Sequence, residues 1–362
     1  MKPANWPAVV ILRPCEGSDS ELEANLLSTA TAHYEGPRRV LVLVPSYQDP
    51  AHSAAEWARA ELFRRGIDVP FEVRVSSIRT DKNRKVAQLA SVEAELHEEV
   101  IVSADSDIRF DDDTLPALVR ALVADPSCAA ATAPQVEVAP RTLGDWASAA
   151  LLSSTPHSFL CLAGLAERAR GSHNLCGAVV AYRSGPLREV GGFHALESYL
   201  GEDFEVARRL HERRYGIATV AVTCGNYDSG RSLREVVQRF ARWSIVTRRQ
   251  RPELHLTYFV FLGCTPLLAI LTAVVAWTQA PYWTISVGYG LISIAARLIL
   301  AAVLRGHAGL KRDPLTLLAN VLAGELLILA GALGALRATE VQWRGHRYRV
   351  HAGGHIERLH VA

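Results

Sequence analysis

Charge is what this sequence lacks over nearly a quarter of its length. From Leu254 to Leu336 only six residues are charged: Arg297, Arg305, Lys311, Arg312, Asp313 and Glu325. The whole chain of 362 residues carries 39 Lys and Arg against 37 Asp and Glu, a net charge of +2. That balance gives no support for nucleic-acid binding, which needs a basic face. Hydrophobic residues reach 49%, too many for a disordered chain. The charge-poor stretch excludes a purely soluble enzyme. The long charged remainder excludes a many-helix transporter.

Paired cysteines are also missing. Cys15, Cys128, Cys161, Cys176, Cys224 and Cys264 form no CxxC and no Cys/His cluster. They read as free thiols of a reducing compartment, not as a disulfide frame or zinc site. Met1–Pro7 holds no apolar core of a signal peptide. The charged part is therefore expected on the cytoplasmic side.

The apolar part contains three runs, 256–277, 283–304 and 315–336. Each reaches the roughly 20 residues a spanning helix needs. Pro266 is expected to kink the first run, and Gln279-Ala280-Pro281 to form a turn after it. Trp277, Tyr282 and Trp283 at that turn suit a membrane interface. Arg248, Arg249 and Arg251 before the first run, and Arg305, Lys311 and Arg312 after the second, put those segments inside. Three full crossings would then place Arg337, Arg344, Arg347 and Arg349 outside, against the same rule. Either the rule fails or one run is re-entrant or interfacial. Arg297 and Glu325 either pair within the bundle or snorkel separately.

The charged part alternates apolar runs with helical patterns. Val9–Leu12, Val40–Val44, Phe71–Val75 and Val100–Val102 read as buried strands. Glu21–His33, Ala54–Arg65 and Lys85–Leu96 read as helices. This predicts an α/β fold, a mostly parallel sheet with flanking helices. Ligands bind such sheets beyond the carboxyl ends of the strands. Asp49 follows one strand, in Pro45-Ser46-Tyr47-Gln48-Asp49. Asp105-Ser106-Asp107 follows another, and two carboxylates so spaced can converge on Mg2+ or Mn2+. Taken alone, a DxD is better explained as a solvated turn or helix cap. Asp111-Asp112-Asp113 reads as the cap of a Thr114–Val123 helix.

Three features add weight. Asn174 to Arg183 reads as a loop entering a strand. Gly201-Glu202-Asp203-Phe204 opens an amphipathic helix, where a carboxylate can serve as a base or merely complement the helix dipole. Arg239, Arg242 and Trp243 lie on a basic helix, Leu233–Arg249, just before the apolar part; an amphipathic interfacial helix is the alternative.

In order and spacing these motifs resemble the DxD, ED and (Q/R)-x-x-R-W motifs of membrane-bound GT-A glycosyltransferases. The closer resemblance is to the ceramide glucosyltransferase family and its hopanoid-associated bacterial relatives. It is carried by Arg13-Pro14-Cys15-Glu16-Gly17, Asn83-Arg84-Lys85-Val86, Ala104-Asp105-Ser106-Asp107-Ile108-Arg109 and Val341-Gln342-Trp343-Arg344-Gly345-His346-Arg347-Tyr348-Arg349. Such proteins usually start with a transmembrane helix, and this chain begins after that point. The expected organisation is a cytoplasmic catalytic domain at 1–252, a transmembrane region at 253–337 and a basic tail at 338–362.

The resemblance implies an inverting enzyme, a hexosyltransferase. The donor is a UDP-sugar, with UDP-glucose favoured. The acceptor is a membrane lipid, ceramide-like before hopanoid. Asp107 binds Mg2+ or Mn2+, with Asp105 shared between metal and donor. Asp49 and Lys85 contact the donor. Asp203 is the catalytic base, with Glu202 behind it. Arg239, Arg242 and Trp243 close over the diphosphate and the acceptor opening. A processive polysaccharide synthase would need more membrane helices. A non-catalytic scaffold would not need to keep all the motifs.

Overall fold

The structure is a computed structural model that describes residues 5–76, 81–159, 161, 175–257, 259, 264–278 and 282–359. The chain divides into two compact units, each assembled from separate segments. One comprises Met1–Val138, Ala163–Asp228 and His346–Ala362; the other comprises Ala139–Leu162 and Ser229–Gly345.

The first unit is built on a seven-stranded sheet. Its strands are β1 (Val9–Pro14), β2 (Arg38–Val44), β3 (Phe71–Val75), β4 (Val100–Ala104), β6 (Cys128–Thr132), β8 (Val179–Arg183) and β9 (Gly216–Thr219), in the order β3-β2-β1-β4-β8-β6-β9. The first four pair in parallel, with Ile11 beside Val40 and Val102. β8 runs antiparallel between β4 and β6. This is the mostly parallel α/β sheet the sequence predicts. β1 is buried at all six positions, as expected for an apolar run covered on both faces. A smaller sheet joins β5 (Ile108–Arg109), β10 (Cys224–Asn226) and β7 (Gln135–Glu137).

The core on one face joins Leu12, Leu43, Ile101, Val180 and Tyr182 of the sheet to Val86 and Leu89 of the Arg84–Ser91 helix and to Val206 and Leu210 of the Glu202–Glu212 helix. Each fully buried side chain of this kind contributes about 1.5–3 kcal/mol. That packing fixes the start of both helices, where the motif residues stand. The Lys85–Leu96 helix expected from sequence ends earlier, at Ser91, and a 3-10 turn follows at Glu93–Glu95. The Thr114–Ala124 helix forms, but Asp113 makes no side-chain cap. Asp111 instead donates its N–H to Thr114 Oγ1 at 3.1 Å.

The second unit is helical. The Leu143–Ser154 and Leu233–Gln250 helices each begin with a reciprocal capping box, Thr142 with Asp145 and Ser232 with Glu235. Both pack against the Pro314–Ala335 helix through Leu151, Leu152, Val236, Phe240, Leu327 and Ile328. Two of its helices, Trp283–His307 and Pro314–Ala335, are long and apolar enough to cross a membrane. The first apolar run is helical at Pro252–Thr257 and Cys264–Thr278. Pro266 lies within the described part of the latter helix, and the residues before Cys264 on which the expected kink depends lie outside the described residues. The Gln279–Pro281 turn lies outside the described residues. Arg297 and Glu325 do pair, Nε to Oε1 at 3.1 Å, with Glu325 fully buried. Cys15, Cys128, Cys161, Cys176 and Cys224 are free thiols.

Candidate active site

Parallel strands carry their carboxyl ends to one edge of the sheet, so β1, β2 and β4 deliver their following loops together. Asp105 is the first residue past β4. Its N–H donates to Ala178 O at 2.8 Å, because β8 pairs Val179 with Ala104 in antiparallel register. That register brings the loop before β8 to the acidic motif. Asn174 of that loop lies outside the described residues.

Lys85 is the hub of the charges here. Asn83 caps its helix, accepting the Val86 N–H at 3.3 Å. Lys85 Nζ then reaches Asp105 Oδ1 at 2.6 Å, Glu202 Oε1 at 3.0 Å and Gly177 O at 3.0 Å. Burial works against its charge, but Asp105 and Glu202 hold its pKa well above the usual lysine value. Burial raises the Asp105 pKa, and Lys85 opposes that rise. Glu202 is held from its other oxygen by Asn83 Nδ2 at 3.2 Å, and Asn83 also donates to Tyr199 O at 2.8 Å. Asn83 is therefore both a helix cap and the tie between two motifs.

Asp203 stands in the first turn of the Glu202–Glu212 helix. It lines a pocket with Lys85, Ser103, Gly177, Tyr182 and Glu202. A Cβ at Gly177 would lie 3.1 Å from Asp203 Oδ2, so glycine there leaves room for the carboxylate. Burial, and next the neighbouring Glu202, push the Asp203 pKa up to about 7. Such a group can accept a proton near neutral pH.

Asp107 is held by a residue that the sequence did not single out. Asn226 Nδ2 donates to Asp107 Oδ2 at 2.7 Å, and the Tyr227 N–H donates to Asp107 O at 3.0 Å. The donor set on this loop, two carboxylates two residues apart, is all oxygen and suits a hard divalent cation completed by phosphate oxygens. Among the described residues no cluster of three His, Cys, Asp or Glu forms a self-sufficient metal cage. Asp49 caps the Pro50–Arg64 helix: its Oδ1 accepts the N–H groups of Ala51 at 2.9 Å and Gly17 at 2.8 Å. It thus ties the loops after β1 and β2 together.

Arg239, Arg242 and Trp243 lie in the second unit, on the Leu233–Gln250 helix. The Arg239 guanidinium sits 4.9 Å from the Trp243 ring, a cation–π contact. Trp243 packs edge-on against Phe240 and Phe159. Arg242 Nη1 donates to Gln342 O at 3.5 Å. Burial, then the like charges of Arg239 and Arg344, lower the Arg242 pKa to about 10. Three guanidiniums so gathered are suited to a multivalent anion.

The fold is that of GT-A glycosyltransferases. It is similar to a mannosyltransferase from Pyrobaculum calidifontis solved with GDP-Man and Mn2+, at TM-score 0.54 and 19% identity over 93% of this chain and 89% of that one. Another similar structure is glucosyl-3-phosphoglycerate synthase from Mycobacterium tuberculosis with Mn2+, UDP and glucosyl-3-phosphoglycerate, at TM-score 0.41 and 15% identity over 66% of this chain and 78% of that one. At the level of sequence, residues 1–356 match glycosyl transferase family 21, and the chain belongs to that family.

Proposed function

We propose that this glycosyltransferase moves one hexose, with inversion, from a UDP-sugar to the hydroxyl of a membrane lipid. UDP-glucose and a ceramide-like acceptor are favoured; a hopanoid acceptor with UDP-N-acetylglucosamine is the second reading. One observation carries the proposal. Asp203 is a carboxylate with a pKa of about 7, in a pocket beside the Lys85, Asp105 and Glu202 cluster. Family membership supports the chemistry. The Pyrobaculum mannosyltransferase, bound to a nucleotide sugar and Mn2+, supports the donor class and the metal.

In this reading Asp203 takes the proton of the acceptor hydroxyl as that oxygen attacks the anomeric carbon. The bond from that carbon to the diphosphate breaks, and its electron pair leaves with UDP. Asp107 and Asp105 would hold Mg2+ or Mn2+, which when bound would offset the charge building on the diphosphate. Lys85 fixes Asp105 and is assigned to the donor on the strength of the family resemblance, and Glu202 keeps Lys85 in place. Asp49 holds the loops on the nucleoside side. Arg239 and Arg242 are assigned to the diphosphate and Trp243 to the acceptor opening, on the strength of the family resemblance.

The apolar helices of the second unit would hold the enzyme at the bilayer, with the sugar chemistry on the cytoplasmic side. The test is a matrix of labelled UDP-glucose, UDP-N-acetylglucosamine, UDP-glucuronate and GDP-mannose against ceramide and hopanoid, in membranes with Mn2+. Transfer from a UDP-sugar that EDTA abolishes is the expected result. Transfer from GDP-mannose alone, or undiminished turnover in EDTA, would overturn the donor or the metal assignment respectively.

A further inference from the structure

We infer that Arg13 is a positioning residue for the acidic loop, holding the backbone on both sides of Asp107 so that its carboxylate is set for the divalent cation. This rests on the reading above, in which Asp107 serves that cation.

Arg13 is the fifth residue of β1, the strand beside β4. Leu12 pairs with Ser103, so Arg13 lies level with the end of β4, where the loop begins. Its side chain is 0% exposed, and it heads the largest fully buried side chains of the protein. A charge so deeply placed is expensive unless its hydrogen bonds are well made. Nη2 donates to Ser106 O at 3.2 Å and to Ile108 O at 2.9 Å. These are the carbonyls of the two residues that flank Asp107. Nη1 donates to Thr29 Oγ1 at 3.0 Å, which anchors the fork to the Leu22–Thr31 helix.

Asn25 of the same helix adds a donor to Ser106 O at 3.1 Å, and the Ser106 hydroxyl donates to Asp19. The loop is therefore gripped from below through its backbone. Asn226 holds the Asp107 carboxylate itself. A guanidinium suits the task because its rigid fork can serve two carbonyls and one hydroxyl at once. An ammonium carries the same charge but has no fixed fork. Partners that support a metal ligand typically change affinity by about 10–100-fold when removed.

The test uses the full-length protein in detergent and three variants, Arg13→Lys, Asn25→Ser and Thr29→Val. Mn2+ affinity is read from the electron paramagnetic resonance signal of free Mn2+ with UDP present, alongside Tm and the kcat and KM for the donor. Arg13→Lys should weaken Mn2+ by about tenfold. Asn25→Ser should weaken it less. Thr29→Val loosens the fork but keeps both loop contacts, and should weaken Mn2+ less than Asn25→Ser does, whatever its Tm. If Arg13→Lys does not fold, the contrast between Asn25→Ser and Thr29→Val decides. Equal Mn2+ affinity in Arg13→Lys and wild type overturns the positioning role. So does weakening in Thr29→Val equal to that in Asn25→Ser. A wild-type protein that binds no Mn2+ with UDP overturns the functional reading and this role with it.

Discussion

Asp203 sits between opposing influences. Burial and Glu202 raise its pKa to about 7, while Lys85 pulls it down. If it is the base, kcat/KM should rise with pH and level off above an apparent pKa near 7. Asp203→Asn should lose about 10²–10⁴-fold in turnover, measured in membranes with the preferred donor. The same change bears on stability. The folded pKa lies above the unfolded carboxylate value, so ionising Asp203 disfavours the native state as pH rises through 7. An asparagine has no such cost. Asp203→Asn should therefore melt at or above the wild-type temperature at pH 8, with the gap closing toward pH 4. A variant that keeps its turnover would remove Asp203 from the chemistry. This residue was legible in the sequence because a helix-start carboxylate is a local pattern. Asn226 was not, and Arg13 stood out only within a family motif, without its role: their partners lie 119 residues away for the one, and 93 and 95 for the other. Nothing local marks such a pairing.

Elements were legible where burial writes itself into consecutive residues. β2 begins two residues before the expected run and β4 ends two residues after it, and the Leu233–Gln250 helix ends one residue beyond expectation. β6 was not, because Cys-Ala-Ala-Ala-Thr carries no strand signature and forms only by pairing with β8 and β9. The helix–helix contacts were equally hidden, since they depend on glycines of the Pro314–Ala335 helix. A Cβ at Gly324 would come within 2.6 Å of Thr155 Cγ2 and 2.9 Å of Leu151 Cα. At Gly331 it would meet the Phe240 backbone at 3.1 Å. Gly324→Ala should destabilise by about 1–3 kcal/mol through overpacking. Gly331→Leu should displace the helix that carries Arg239, Arg242 and Trp243, and lower turnover. Gly288→Ala is the control, since nothing lies within 4 Å of its added methyl. Equal melting temperatures for Gly324→Ala and Gly288→Ala would show that the close approach is not there.

At the scale of the whole molecule, the tail decides how the apolar part can cross a membrane. His346–Ala362 belongs to the same compact unit as Asp105 and Asp203. Tyr348 is fully buried there, the Ile356 N–H donates to Ser198 O at 2.8 Å, and His355 bridges to Tyr199. The chain leaves that unit after Asp228 and re-enters it at His346, so any crossings between must be even in number. Three full crossings would break that count, and we propose two instead. Among the described residues Trp283–His307 and Pro314–Ala335 have the length of a span, whereas the pattern of exposure favours the first two runs. Trp283–His307 exposes Ile285, Tyr289, Leu291, Ile292, Ile299 and Val303, and the neighbouring Cys264–Thr278 helix exposes Ile270, Leu271 and Val274. Pro314–Ala335 is half-buried against protein helices. Arg305 donates to Ser153 Oγ at 3.1 Å, which keeps the loop after His307 beside the Leu143–Ser154 helix. Two crossings by the first two runs, with the third packed against protein, would put Arg248, Arg305, Lys311, Arg312 and the basic tail on one side, in accord with the positive-inside rule. Single cysteines at Tyr282, Gly309 and His351, probed with a membrane-impermeant maleimide in right-side-out vesicles, test this against a wild-type blank. Tyr282→Cys should label from outside, and Gly309→Cys and His351→Cys only after permeabilisation. Labelling of His351→Cys in sealed vesicles would restore three crossings and detach the tail from the catalytic unit, whereas release of the protein by carbonate would remove the bilayer from the picture altogether.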